Sequence, residues 1–143
     1  MSTEMNKALA RREAQEIESE GNVVVAHELL AQNFQLHFPG FPTLDREGFK
    51  MMIAGFHAGF PDMQVTFQDQ IAEGDRVTNR LTMRGTHSGA FQGIPPTGKS
   101  VTVSGINIMR IENDQIAEIW GALDVLGLMQ QIGAAPLAEA AGM

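Results

Sequence analysis

Asp124 is the residue whose type and position best suit it to chemistry. It stands where IWGAL, an alternating apolar stretch, gives way to VLGLMQQ, which has helical spacing. A carboxylate there has two readings. It can cap the helix, a role worth about 1 kcal/mol. It can also stand at the rim of an apolar cavity as a general base, because apolar walls strip water from a carboxylate and raise its basicity. Trp120, the only tryptophan, shares its parity and would furnish such a wall. Two asparagines point to the same kind of place. Asn79 interrupts the apolar face of Val77, Leu81 and Met83, and Asn107 interrupts that of Val101, Val103 and Met109. An unpartnered buried amide costs about 1–3 kcal/mol. Each asparagine therefore needs a partner: the other one, a loop carbonyl, water or a ligand.

The four histidines are His27, His37, His57 and His87. None forms an H-x-x-x-H pair, and no acidic residue stands at a recurring ligand spacing, so a metal site is not expected. His27 and His57 fall in helical stretches. His37 alternates against Phe34, Leu36 and Phe38 and so faces the other way from them. His87 ends a strand and would tie down the loop that follows. There is no G-x-S-x-G elbow for a serine hydrolase. One motif misleads. Residues 93–100, GIPPTGKS, satisfy G-x-x-x-x-G-K-[ST], the pattern of a phosphate-binding loop. Such a loop needs a helix after it and N–H groups aimed at the phosphates. Here the alternating run VTVSGINIM follows, and Pro95 and Pro96 remove two donors. The stretch reads as a proline-stiffened hairpin loop, and no nucleotide or other cofactor is expected.

These residues need a scaffold, and the chain is of a size for one. Its 143 residues fit a single domain with one core, residues 134–143 forming an Ala- and Gly-rich tail that would fray. The net charge of −7 without a basic cluster argues against nucleic acid and against anionic membranes. No cysteine is present, which excludes disulfides and thiolate chemistry. The charged N-terminal stretch lacks an apolar signal core, and no apolar run approaches a membrane span of about 20 residues. A cytoplasmic protein is expected.

Residues 4–20 have helical composition, VVVAHELLA reads as a second apolar helix and NFQLHF as a short strand. Thr43 or Asp45 would cap a further helix, EGFKMMIAGFHAGF, which stops before Pro61. The period then changes to two. Met63, Val65, Phe67 and Ile71 alternate with glutamines and a threonine. Turns at 73–75 and 112–114 link three more strands. Helices followed by an antiparallel meander make an α+β fold, a curved sheet whose cone-shaped pocket is covered by the N-terminal helices. Ile106, Ile108 and Ile119 lie opposite the faces assigned inward, and exposed apolar side chains there suggest a homodimer.

The segments IAEGDRV, RGTHSGAFQGIPPTGKSV and GINIMRIENDQIAEIWGALDVLGLMQQIG, with FPDMQV upstream, resemble the SnoaL-like polyketide cyclases. That family is similar in fold to nuclear transport factor 2 and ketosteroid isomerase. In it an Asp of the W...D..GL motif is the acid/base, and Trp120, Asp124, Gly127 and Leu128 match that motif. The resemblance implies a cofactor-independent aldol-type ring closure on an apolar small molecule. Asp124 would remove a proton, while His37, Asn79 and Asn107 bind the oxyanion. Relatives often carry His or Asp in place of Asn107; an amide hydrogen-bonds an enolate but does not shuttle protons. Other readings stay open. A ketosteroid-isomerase chemistry normally uses a Tyr, and this chain has none. An epoxide-hydrolase-like Asp-Arg-Asp arrangement could use Arg80, which alternates with the polar face. A non-catalytic ligand-binding or dimerisation module would use Asp124 as a cap alone.

Overall fold

The computed structural model of the chain describes residues 2–135. Helix α1 (Thr3–Glu13) starts at Ser2, whose side chain accepts from the Met5 N–H. It runs on without a break into a π-helical segment, Ala14–Ser19. A 3₁₀ turn (Val23–Val25) and the short α2 (Ala26–Leu29) follow, and then β1 (Leu30–His37). The expected second helix is thus a 3₁₀ turn and a single α-helical turn, in keeping with three consecutive β-branched valines. Helix α3 (Arg46–Gly59) is capped by Asp45, which accepts from Gly48 N–H at 2.8 Å. Strands β2 (Gln64–Glu73), β3 (Arg76–Thr86), β4 (Ser100–Glu112) and β5 (Gln115–Leu123) form the meander, and α4 (Val125–Gln131) closes it.

The strands lie in the order β1-β5-β4-β3-β2. The meander is antiparallel as expected, but β1 joins β5 in parallel, so the sheet is mixed, open and curved. The fold is α+β. All helices cover one face. One core cluster packs Ala10, Ile17, Leu29, Phe49 and Ile53 against Leu36, Val77, Met109 and Ile119. A second packs Phe60, Phe91 and Leu128 against Val65, Leu81, Met83, Val101 and Val103.

Two assignments of facing need correction. A register shift between Phe67 and Asp69 marks a β-bulge in β2. The bulge reverses the alternation, so Ile71 is 72% exposed and Gln70 turns inward. Ile119 was expected on the outer face and is buried in the core, because it shares a row with Leu36 and Met109. Ile106 and Ile108 do lie on the outer face, 51% and 39% exposed. Of the expected frayed tail, residues 136–143 fall outside the described residues.

The loop after β3 is tied down as its sequence suggests. His87 Nδ1 is paired with Thr97 Oγ1 at 3.0 Å, and its backbone bonds Lys99 and Gly98. Gly89 lets the loop lie on the end of α3, where its N–H donates to the Gly59 carbonyl; a Cβ there would overlap the Ala58 carbonyl oxygen. No helix follows Lys99-Ser100, which opens β4.

Candidate active site

Between the two core clusters lies an apolar cavity of about 70 Å³. Phe49, Ile53, Met63, Leu81 and Ile119 are among its walls, and its polar lining comes from Asn107 and Glu18. Phe38, Met52, Phe56, Ala122 and Leu123 also line a larger groove of about 510 Å³ that opens outward. The groove is within the usual range for a small-molecule site, and the inner cavity has room only for a small group. Among the described residues, Asp124 is the only ionisable side chain that lines the groove.

Asp124 follows β5 directly and its Oδ1 accepts from Gly127 N–H at 2.9 Å, so it is the N-cap of α4. It is also exposed on the groove wall, so the two readings of this residue coexist. The expected dry, apolar seat is not there in the empty groove; a ligand would have to bring it by excluding water. Gly127 explains its own place in the motif, because a Cβ there would overlap the Asp124 carboxylate.

Asn79 and Asn107 face inward as the alternation implies and are buried. They belong to a chain of amides. Arg11 Nη1 donates to Gln70 Oε1 at 2.7 Å, and Gln70 Nε2 donates to the Lys7 carbonyl at 3.0 Å and to Asn79 Oδ1 at 2.9 Å. Asn79 Nδ2 then donates to Asn107 Oδ1 at 2.7 Å. A guanidinium is donor-only and a carbonyl acceptor-only, so the two ends at Gln70 fix every amide orientation after it. The consequence falls at the last member. The Asn107 oxygen is spent, and its NH₂ is left to donate into the cavity. Gln70 was missed in the sequence because the bulge that turns it inward has no marker there.

His37 and Trp120 are not brought to this site. Leu36 points inward, so His37 lies on the outer face, where Nε2 meets Glu118 Oε2 at 2.6 Å and Nδ1 meets Thr43 Oγ1 at 3.2 Å. Trp120 stacks on it, ring centroids 5.7 Å apart, with the Arg76 guanidinium 4.9 Å over the indole. Burial pushes the Glu118 carboxyl up, but hydrogen bonds from His37 and Arg110 outweigh it and hold the group below its usual range. Arg80 is on the same outer face, paired with Asp69 at 2.6 Å, which leaves it no part in an Asp-Arg-Asp arrangement in the cavity. Among the described residues no group of three or more His, Cys, Asp or Glu side chains could hold a metal ion, and no helix is long and apolar enough to cross a membrane.

The profile of the SnoaL-like polyketide cyclases matches residues 8–132. No curated protein matches the chain. Among solved structures, one provisionally described as a SnoaL-like polyketide cyclase, from Jannaschia sp. CCS1, superposes with a TM-score of 0.84 at 26% identity, over 94% of this chain and 95% of its own. IdmH from Streptomyces antibioticus, also a provisional polyketide cyclase, gives 0.80 at 31% identity, over 90% and 98%. TsrD from Streptomyces laurentii gives 0.83 at 27%, over 94% and 99%. The match over most of the chain and the shared fold agree: the chain belongs to the SnoaL-like polyketide cyclase family.

Proposed function

We propose that the protein closes a ring in an apolar, carbonyl-bearing substrate by an intramolecular aldol-type reaction without a cofactor, with Asp124 as the base. One observation carries the reading: among the described residues, Asp124 is the only ionisable side chain on an apolar groove that shares a wall with the cavity served by the Asn107 amide. The Asp124 carboxylate takes a proton from a carbon next to a carbonyl. The enolate carbon attacks a second carbonyl carbon of the same molecule, a C–C bond forms, and the new alkoxide takes a proton back from the Asp124 carboxyl. Asn107 holds a carbonyl oxygen, and preorganised donors of this kind contribute several kcal/mol.

Gly121 is paired with Asn107, and Asp124 is three residues further along the chain, about 10 Å at strand rise. A substrate that touches both ends must be of that length, which favours an extended polycarbonyl chain over a single small ketone. The groove would hold that chain folded for attack.

A minimal test uses 2,6-heptanedione, whose aldol ring closure gives 3-hydroxy-3-methylcyclohexanone. NMR should show wild-type protein accelerating the closure over buffer. Equal rates with and without protein would count against ring closure and in favour of a ligand-binding module in which Asp124 only caps α4. The reading extends to a homodimer across the outer face, where Ile106 and Ile108 are exposed.

A further inference from the structure

Glu13 and Glu18 are five residues apart. In an α-helix that spacing turns two side chains about 140° away from each other. Here α1 gives way after Glu13 to the π-helical segment Ala14–Ser19, where the Glu20 N–H reaches back five residues to the Gln15 carbonyl. The wider π turn, with its i→i+5 bonds, brings residues five apart toward the same face. The two carboxyl groups are accordingly in hydrogen-bonding contact.

Glu13 is 0% exposed, and no donor among the described residues reaches either of its oxygens. Glu18 is half-buried and lines the inner cavity that Asn107 serves. Two carboxylates in contact are two acceptors without a hydrogen between them, and a proton is what reconciles them. The neighbouring elements offer no countercharge. Arg12 of α1 turns outward to Glu16 and Glu28, and Arg11 is engaged by Gln70. The 3₁₀ turn carries valines, and the inner face of β2 near this segment presents Val65, whose backbone is held by Ser19. His57 of α3 spends Nε2 on the Glu18 carbonyl oxygen at 2.7 Å. Burial, followed for Glu13 by the charge of its neighbour, pushes both carboxyls up.

We propose that Glu13 and Glu18 are both protonated, that the Glu13 O–H donates to Glu18, and that the Glu18 O–H donates to a carbonyl oxygen seated in the inner cavity, opposite the NH₂ of Asn107. The ligand class is a ketone or aldehyde group on an apolar body. Glu18 is the group that touches the ligand, and Glu13 is a positioning residue whose own O–H holds the Glu18 carboxyl in place. The proposal rests on the cavity as the seat of a substrate carbonyl, and it does not need Asp124 to be the base. In the reaction the same hydrogen bond strengthens as the oxygen takes on enolate charge.

The test is carboxyl ¹³C NMR of the full chain with labelled glutamate, across pH, with and without acetophenone labelled at its carbonyl carbon. Both carboxyls of the pair should titrate above the ordinary glutamate range, and the bound acetophenone carbonyl signal should move downfield. Glu18→Met should abolish the downfield movement while acetophenone still binds. Glu13→Gln should leave Glu18 above the ordinary glutamate range, because burial is the larger cause of its shift. Ordinary titration of either carboxyl in the wild type, or an equal carbonyl signal in wild type and Glu18→Met, would overturn the proposal. Asp124→Asn should leave both signatures as they are, so the pair and the base stand or fall separately.

Discussion

Asp124 and Gly127 act as one unit. A side chain at 127 would occupy the space of the Asp124 carboxylate. Gly127→Ala is expected to displace that carboxylate, remove the cap at a cost of about 1 kcal/mol and lower any activity that depends on it. Urea unfolding and the ring-closure assay read the two effects separately. Glu13 gives a prediction with a sign. Its folded carboxyl keeps a proton that the unfolded chain releases above the ordinary glutamate range. The unfolded state then binds fewer protons, so the contribution to stability is fully present below that range and declines as pH rises toward the raised folded value. Glu13→Gln should gain on the wild type between pH 5 and pH 8 in urea midpoints; parallel profiles would contradict the assignment. At this scale the sequence pattern placed Asn79 and Asn107 on the inward face, where both are buried, because their types break an apolar alternation, and it placed Asp124 at the strand–helix junction, where it caps α4. It was a poor guide to Glu13 and Glu18, because an α-helical wheel separates them. His37 and Trp120 were assigned to the pocket by family likeness and by shared parity with Asp124. Parity along β5 ends at Leu123, and Asp124 turns with the cap.

The amide chain crosses from α1 through β2 and β3 to β4, so its integrity depends on how those elements meet. Asn79→Leu would leave the Asn107 oxygen without its donor inside the core, a cost of about 1–3 kcal/mol, and would free the Asn107 amide to turn over. Adding Asn107→Leu should recover part of that stability, because the buried Asn107 oxygen is gone and only one N–H of the part-buried Gln70 amide lacks its acceptor, while affinity for a ketone stays lost; denaturant titration with NMR binding checks both. The meander was legible because β3 and β4 alternate strictly and their turns carry Gly74 and Asn113-Asp114, all at positive φ. The bulge in β2 and the parallel docking of β1 were not legible. Both are set by pairing with a neighbouring strand, which a single strand's pattern does not contain.

For the whole molecule, one face of the sheet is covered by helices and the other carries Ile106, Ile108 and the His37–Trp120 stack. Pairing of two copies over that outer face would remove the isoleucines from water. Light scattering after size exclusion should give twice the chain mass, and Ile106→Lys with Ile108→Lys should give a monomer that keeps its fold; a monomeric wild type would refute the dimer. On the covered face the cavity and the groove share a wall and Asp124 lines the groove, and the account depends on Asp124 acting as a carbon-acid base there. The most direct measurement is deuterium exchange in D₂O, by NMR, at the acidic carbon of 1,3-dicarbonyl compounds, with wild type and Asp124→Asn side by side. The account predicts catalysed exchange by the wild type that falls by about a hundredfold or more in a variant that is still folded. Exchange at the wild-type rate in Asp124→Asn would contradict it.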